Sequence, residues 1–311
     1  MAPEPRLPRG LMVTVERHRG TRLGDLQQLV NGHLAVVLPG WSLPADIIAG
    51  SLGLASEGAG TDPWVARRRT LCAIEDDRLL GAAHVLLYGS APEVGSAYRG
   101  AAELAWLLFR PEANKAAQAL VDVARDLVAA WGARRLYACD TLLPVPVVSG
   151  VPASWPHVSS ALNRAGFEPV VGGEEVLYVG RLPGRGPGQP PVAGLEVRAA
   201  IEEPGHRFIA ELAGIEVGFL DWVPDLSFGR TLPALAGWAQ LSVLGVREGW
   251  RGHGIGPWLV RSTAPFLQML GVRRIVVALS GPQETAGAGS MCRRLGWEPL
   301  VRLQQGWSQV G

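Results

Sequence analysis

The last third of the chain is a succession of short apolar runs separated by turns that contain glycine. Residues 206–212 and 217–223 are two such runs on either side of Ala213-Gly214, which predicts a β-hairpin. Residues 238–246 form a longer apolar run, and residues 274–279 form another. Both have the length of a strand rather than of a helix, so we expect two further buried strands.

A helix is predicted between those two strands, because apolar residues recur there every three or four positions. The apolar face is formed by Ile255, Leu259, Ser262, Phe266 and Met269. Pro257 suits the first turn and Gly271 the C-terminal cap, whereas Pro265 is expected to kink the helix or end it early. Strand, glycine loop, helix and strand make a βαβ unit with parallel strands, and a short helix over residues 285–295 follows.

The two halves of the chain repeat one plan. Three blocks recur in the same order at similar separations, which indicates duplication of a whole domain. They are residues 71–82 and 208–219, residues 132–136 and 271–275, and residues 164–169 and 294–299. Residues 181–194 are rich in Pro and Gly, a composition that neither forms a helix nor pairs in a sheet. We therefore predict one domain over residues 1–180, a linker over residues 181–194 and a second domain over residues 195–311.

The first copy contains a segment that the second lacks. Residues 25–54 have a helical pattern, which is broken at residues 38–41 and at Pro44. In the second copy, residues 196–206 leave room for a strand and a turn only. The cover on that side of the second domain must therefore come from elsewhere.

Composition indicates a globular protein without a general affinity for polyanions. Of the 311 residues, 48% are hydrophobic and 18% are charged, and 29 basic against 28 acidic residues give a net charge of +1. That balance argues against a nucleic-acid binder, which needs a concentrated basic surface. The 3 cysteines are far apart and in no metal-binding spacing, so we expect neither disulfides nor a zinc site. No signal peptide or membrane span is predicted, and the expected location is the cytoplasm.

Residues 251–256, with the sequence RGHGIG, lie between a predicted buried strand and the start of a helix. A helix N-terminus presents unpaired N–H groups and the positive end of the helix dipole, which together suit a diphosphate. The three glycines lack the β-carbons that would hold phosphate oxygens away, and the arginine adds a cationic donor. A P-loop would need a Gly-Lys pair here, and the dinucleotide fingerprint fails because Pro257 stands where its last glycine belongs. A glycine turn that merely joins strand to helix is the alternative.

The pattern Arg251-x-x-Gly254-x-Gly256 resembles the pyrophosphate loop of the GCN5-related N-acetyltransferases, the GNAT superfamily. The family's later signature, an Asn, an Ala, Leu-Tyr and a charged run into Gly-Phe, is approximated by Thr285, Ala288, Met291, Cys292 and residues 293–297. The resemblance covers residues 195–311 in the order of elements and residues 11–180 more faintly. It implies an α/β fold of the α+β type. In such a fold, two tandem GNAT-like domains each have a mixed, mostly antiparallel sheet with a parallel βαβ unit and flanking helices.

The resemblance also implies an activity: acetyl transfer from acetyl-CoA, or another acyl-CoA, to an amine of a small molecule, without a metal. Backbone N–H groups of the fourth strand, here Leu244, Gly245 and Val246, would stabilise the developing oxyanion. The cofactor-binding residues implied are Arg251, Gly252, His253, Gly254, Ile255, Gly256 and Thr285, with pantetheine between residues 241–246 and 274–279. Gly245 also stands where a bulge or a close backbone approach is tolerated. Neither nucleic acid nor membrane is an expected partner, and the chain would be a monomer or a homodimer.

Amide formation needs a base for the amine and an acid for the leaving thiolate. The candidate bases are Glu211, Asp221 and Asp225, with Gln240 or Ser242 able to orient a water; each carboxylate is equally an ordinary solvated one. Cys292 stands where many family members have the tyrosine that protonates the thiolate, although a buried structural cysteine is the alternative there. Because no clear base signature exists, a non-catalytic acyl-CoA-binding or scaffold protein of the same fold is the alternative function.

The first copy lacks the glycine loop. Aligned on the strand over residues 103–109, Asn114 takes the place of the loop arginine, and Ala117 and Ala119 take those of the last two glycines. We expect these β-carbons to point where phosphate would lie, with Glu112 adding repulsion. The N-terminal domain is therefore predicted to be degenerate, with a structural or substrate-shaping role.

Overall fold

The computed structural model describes residues 13–53, 63–139, 148–184, 186, 188–202, 205–227 and 232–309. The strands of these residues are β1 (Thr14–Arg17), β2 (Val65–Glu75), β3 (Arg78–Tyr88), β4 (Ala102–Phe109), β5 (Leu136–Ala138), β6 (Val151–Pro152), β7 (Phe167–Pro169), β8 (Glu174–Arg181), β9 (Leu195–Glu202), β10 (Gly205–Leu212), β11 (Ile215–Val223), β12 (Trp238–Val246), β13 (Arg274–Ser280), β14 (Glu298–Gln304) and β15 (Trp307–Gln309). The helices are α1 (Leu23–Val37), α2 (Ala45–Ser51), α3 (Asn114–Ala130), α4 (Pro156–Arg164), α5 (Ile255–Met269), α6 (Gly281–Gln283) and α7 (Gly289–Arg294), with a π-helical turn over Glu284–Ala288. In the part of the chain so described, no helix is both long and apolar enough to cross a membrane.

The strands form two mixed sheets. The first has 7 strands in the order β1-β2-β3-β4-β5-β15-β7, and the second has 8 in the order β6-β14-β8-β13-β12-β11-β10-β9. Within each sheet one adjacent pair belongs to a βαβ unit and is parallel, β4 with β5 and β12 with β13. The second sheet is otherwise antiparallel. The predicted fold class, mixed sheets with one parallel unit each, is confirmed.

Each half of the chain places its last strand in the sheet of the other half. β8, which precedes the linker, lies between β13 and β14 of the second sheet. β15, at the other end of the chain, lies between β5 and β7 of the first sheet. The connections to these two strands touch where they pass: the Gln305 N–H donates to the Gly173 carbonyl at 2.7 Å. A β-carbon at Gly173 would overlap the Gln305 carbonyl oxygen, so glycine is required at this crossing.

The two faces of the second sheet have different neighbours. Ile275, Val277 and Leu279 of β13 pack in a core with α5 and α7. Val276, which points to the opposite face, belongs to the core of the first half. On that face the first half also supplies Trp41, from the connection between α1 and α2, whose ring lies 5.0 Å from that of Trp238. The face that the second copy leaves uncovered is thus partly covered by the first.

The local predictions for the second copy agree closely with the structure. The hairpin of β10 and β11 turns at Ala213 and Gly214, which both have positive φ, and β12 has the predicted bounds. Helix α5 begins at Ile255 and is closed by Gly271 at φ +78, with the Val272 N–H donating to the Leu267 carbonyl. Of the two outcomes expected for Pro265, a kink or an early end, the early end is not observed, because α5 continues to Met269. The last turn persists because Leu267, beyond the proline, is fully buried and the glycine cap satisfies the final carbonyls.

Candidate functional site

A gap opens between the two parallel strands of the second sheet. β12 pairs with β13 only at Trp238, Ala239 and Gln240, whose partners are Arg274, Ile275 and Val276. Beyond Gln240, β12 continues for six residues with β11 on one side only. The edge of β12 that faces β13 therefore carries backbone groups without a strand partner, over the stretch predicted to flank pantetheine.

The loop that follows β12 ends in a run of free backbone donors. Residues 247–254 connect β12 to α5. Two turns form in the first part of this loop: the Trp250 N–H donates to the Arg247 carbonyl, and the Arg251 N–H donates to the Glu248 carbonyl. Among the described residues, no backbone carbonyl accepts from the N–H groups of residues 252–256. Five successive donors at the positive end of α5 suit an anion.

The three loop glycines have two different structural roles. Gly252 and Gly254 lie at φ +81 and +80, in the left-handed region that favours glycine, and Gly254 is the N-cap of α5. Gly256 is a buried residue of the first helical turn, where a β-carbon would contact Met291 Sδ at 3.4 Å and Leu244 at 3.5 Å. Gly252 and Gly254 thus shape the donor loop, whereas Gly256 lets α5 pack against α7 and β12.

The loop side chains turn back onto the loop itself. Arg251 Nε donates to the Val246 carbonyl at 3.1 Å, and its guanidinium is exposed. His253 Nδ1 lies 3.0 Å from the Arg251 carbonyl, and its ring lies edge-on to Trp250 at 6.0 Å. Ile255, the first residue of α5, is buried. The predicted loop residues therefore lie together at the carboxyl end of β12, with Arg251 and His253 on the solvent side.

The residues predicted to supply the oxyanion donors lie along the free edge of β12. Leu244 and Val246 are half-buried, opposite Leu220 and Gly218 of β11. A β-carbon at Gly245 would lie 2.7 Å from the Phe219 ring, so this glycine permits a close approach. The bulge itself lies elsewhere: Asp221 pairs with Val243 and Trp222 with Leu241, which leaves Ser242 as the extra residue.

The candidate bases lie at different distances from β12 and are all engaged. Asp221 faces Val243 next to the bulge, but both its oxygens accept from Arg207, at 2.7 and 2.8 Å. Glu211 lies on β10, one strand farther away, and accepts from Arg198 Nε at 2.9 Å. Asp225 accepts from the Ser227 N–H at 2.8 Å. Asp221 is therefore the predicted carboxylate closest to the β12 bulge, and Arg207 holds it.

Cys292 and Thr285, from the later part of the resemblance, lie on the helical segment that follows β13. Cys292 is fully buried, and this burial raises the pKa of its thiol to about 11. Thr285 is exposed, and its hydroxyl donates to the carbonyls of Gly281 and Pro282 at 3.1 Å. Gly281 and Thr285 follow the carboxyl end of β13, the edge of the sheet at which the 252–256 donors also lie.

A buried phenol that the sequence did not point to reaches the same helical segment. Tyr178, on the exchanged strand β8, is fully buried and donates to Glu284 Oε1 at 2.9 Å while accepting from Arg293 at 2.8 Å. Burial and the Glu284 carboxylate raise the pKa of Tyr178, and the same hydrogen bond lowers the pKa of Glu284. A β-carbon at Gly289 would lie 3.0 Å from the phenol oxygen. The sequence before the linker gives no indication that Tyr178 would contact this segment.

The corresponding connection in the first half is shorter than the alignment assumed. Residues 110–113 join β4 to α3, and α3 begins at Asn114. Ala117 is fully buried in α3, and Ala119 lies farther along the same helix, so neither replaces a loop glycine. The predicted alignment was wrong because the first half lost loop length rather than glycines alone. No residue of this connection has the positive φ of Gly252 and Gly254.

Side chains occupy the end of β4 in the first half. The Phe109 ring, at the end of β4, lies 4.9 Å from the ring of His157 on α4. His157 Nε2 lies 3.2 Å from Nε2 of His33 on α1, and Trp155 Nε1 donates to the His33 carbonyl at 3.1 Å. Burial is the main cause that lowers the pKa of both histidines. Three elements are thus tied together at this end of the first sheet.

Neither half offers a metal site within the described residues. No group of three or more His, Cys, Asp or Glu side chains there could hold a metal ion. All three cysteines are buried, and none forms a disulfide.

Comparisons of sequence give no match, whereas comparisons of structure give many. No family model matches the sequence, and no curated protein matches it significantly. A tandem GNAT protein from the clavulanic acid biosynthesis pathway, solved without AcCoA, is similar with a TM-score of 0.60 at 16% identity, covering 96% of this chain and 98% of that chain. A GCN5-related N-acetyltransferase from Sphaerobacter thermophilus is similar with a TM-score of 0.59 at 13% identity, covering 95% and 94%.

A third similar structure is a GCN5-related glucosamine N-acetyltransferase region of a fungal multi-domain GH3 β-N-acetylglucosaminidase. Its TM-score is 0.63 at 13% identity, and the match covers 96% of this chain and 38% of that one. At such identities the likeness is one of fold. This chain therefore has the fold of a tandem GNAT protein, as the loop and the helix signature predicted.

Proposed function

We propose that the protein transfers an acetyl group from acetyl-CoA to the amine of a small molecule, and that its C-terminal half carries out the transfer. The observation that carries the proposal is the run of five free N–H groups over residues 252–256, at the end of the strand that parts from β13. The proposed anion site follows directly after the unpaired edge of β12. This combination suits a cofactor with a diphosphate at one end and an amide-containing arm.

Different residues would hold the different parts of an acyl-CoA. The donors of residues 252–256 would hold the diphosphate, with Arg251 on the solvent side to add a charge-assisted hydrogen bond. The free edge over residues 241–246 would pair with the amides of the pantetheine arm as a strand pairs with its neighbour. When bound, the cofactor supplies an acyl group activated as a thioester.

In the transfer that we propose, the acceptor nitrogen forms the new N–C bond and the C–S bond breaks. The products are an amide and a thiol, so one proton leaves the nitrogen and one reaches the sulfur. Backbone N–H groups of Leu244, Gly245 or Val246 would stabilise the oxyanion of the tetrahedral intermediate. Asp221 would take the amine proton, directly or through a water at Ser242, after an oxygen is released from Arg207.

Several observations support the C-terminal half as the working one. Its loop contains two left-handed glycines and a run of free donors, whereas residues 110–113 form a short connection without a left-handed residue. In the first half, Phe109, His157 and His33 fill the space at the end of β4. We therefore propose that the first half has lost cofactor binding and has a structural or substrate-shaping role.

The Cys292→Ala variant tests the predicted proton donor. A thiol with a pKa of about 11 gives its proton to a thiolate less readily than an ordinary thiol does, and Cys292 is fully buried. We expect kcat for acetyl transfer to stay within about twofold of the wild-type value, since water would supply the proton. A general acid contributes about 10²–10⁴-fold, so a loss of that size in steady-state assays would instead assign the donor to Cys292.

A non-catalytic acyl-CoA-binding protein is the second candidate, because the three candidate bases, Glu211, Asp221 and Asp225, are all held by partners. Calorimetry with acetyl-CoA and with CoA tests the premise that both functions share. Release of free thiol across a panel of amines then separates them, since only an enzyme releases thiol faster with amine than without. Absence of binding at millimolar acetyl-CoA would exclude both functions.

A further inference from the structure

Three large side chains stand in a row across the second sheet, at the edge opposite the 252–256 donors. Trp238 of β12 pairs with Arg274 of β13, which in turn pairs with Arg181 of β8. Residues paired in this way project from the same face of a sheet. The Arg274 guanidinium lies over the Trp238 ring, 5.3 Å from its centroid.

All three side chains line one groove, which opens to solvent. The groove is also lined by Leu182, which follows β8, by Leu295 at the end of α7 and by Glu298 at the start of β14. Gly180 also lines the groove, and a β-carbon there would overlap the Trp297 ring on the opposite face of the sheet. Trp41 of the first half packs against Trp238, so both halves of the chain contribute to this region.

The charges in the groove are not balanced. Like charges directly opposite each other destabilise an antiparallel pair, yet Arg181 and Arg274 occupy such positions in β8 and β13. Among the described residues, no carboxylate forms an ion pair with either arginine, although Glu298 lines the same groove. Two arginines beside an aromatic ring suit an anionic group, because the guanidinium fork matches the two oxygens of a carboxylate.

The groove is close to the point where the proposed reaction would occur. The last pair before β12 and β13 part is Gln240 with Val276, two residues along each strand from Trp238 and Arg274. Two residues of strand span about 7 Å. A molecule bound at the arginines could therefore place a group at the gap if about 7 Å or more of chain separated its two ends.

We propose that the acceptor is an amine that also carries a carboxylate, and that Arg181 and Arg274 bind this carboxylate while Trp238 contacts the chain between the two groups. The inference rests on the proposed acetyl transfer and adds the substrate class to it. It also gives the exchanged strand β8 a part in the site, since Arg181 comes from the first half of the chain. Arg181 and Arg274 act in specificity and not in the chemical step.

The test compares straight-chain ω-amino acids with n-alkylamines of the same length, using the full chain and saturating acetyl-CoA. We expect kcat/KM to be at least about tenfold higher for the amino acids, with an optimum length set by the distance from the arginines to the gap. Arg274→Gln and Arg181→Gln should each raise KM for the amino acids about tenfold and leave KM for the alkylamines unchanged. Arg274→Lys should restore part of the preference.

Arg273→Gln is the matched control, because this exposed neighbour carries the same charge but does not line the groove. It should leave the preference within about twofold of wild type. Equal kcat/KM values for the two series, or a preference that survives both arginine variants, would overturn the inference while leaving acetyl transfer in place. Calorimetry of the amino acids with CoA-loaded and CoA-free protein separates the two failures. If the amino acids bind in a way that depends on Arg274 but the protein does not bind acetyl-CoA, the anion site is supported and acetyl transfer is excluded.

Discussion

A chain reduced to residues 195–311 is expected not to fold, although it contains the whole predicted second domain. It lacks β8, the strand that pairs with β13 on one side and with β14 on the other. Val176, Leu177 and Tyr178 of this strand are all buried, and burial of such side chains contributes about 2 kcal/mol each. Their loss, together with two exposed strand edges, approaches the whole stability of about 5–15 kcal/mol that a domain has.

Urea unfolding followed by circular dichroism checks this expectation, with acetyl-CoA calorimetry on the same samples. The matched control begins at residue 170 and so restores β8 together with its hydrogen bond from Gln305 to Gly173. We expect cooperative unfolding in the control and none in the shorter chain. A shorter chain that unfolds at the urea midpoint of the full protein would show that the exchanged strand is dispensable and that residue 195 is a true domain boundary.

The strand exchange also explains why local patterns predicted the elements but not their assembly. Alternating apolar residues and a glycine turn determine the β10–β11 hairpin, because both strands and their turn lie within residues 205–223. Helix α5 likewise carries its own signals, an apolar stripe and a glycine cap. The sequences of β8 and β15 do not specify the strands with which they pair. A strand can pair with any free sheet edge that has a complementary pattern.

The candidate site likewise has parts that the local sequence predicts and parts that it does not. The donor loop was predictable because its glycines, its strand and its helix are contiguous in the sequence, and the structure adds that Gly256 serves packing rather than the loop. The comparison with the first half failed, because an alignment by residue count cannot detect a shortened connection. The row of Trp238, Arg274 and Arg181 could not be predicted at all. It depends on the register of three strands, one of them exchanged.

The exchange also gives the first half a structural role that does not depend on a donor loop. It supplies β8, which carries Tyr178 to Glu284 and Arg293 beside α7, and it supplies Trp41 against Trp238. In return, β15 closes the first sheet between β5 and β7. Each half therefore stabilises the other.

The Gly254→Val variant is expected to lose acetyl-CoA affinity by a factor on the order of 100, or about 2.7 kcal/mol. Gly254 is the N-cap of α5 at φ +80, a conformation that costs an L-residue roughly 1–2 kcal/mol and a β-branched residue more. The chain relieves this strain by rotating the backbone around residue 254, which turns the N–H groups of residues 254–256 away from a common point. Those groups are the anion donors of the proposed site.

Gly249→Val is the control within the same loop. A β-carbon at Gly249 meets nothing within 4 Å, and its φ lies outside the left-handed region, so the substitution should leave acetyl-CoA affinity within about twofold. Calorimetry at a temperature where both variants are folded measures the two dissociation constants. The Gly254 variant should remain folded, because its β-carbon would meet only Pro191, at an ordinary 3.5 Å. If the folded variant bound acetyl-CoA as tightly as the wild type, the diphosphate would have to bind elsewhere, because the substitution turns these donors away from one another.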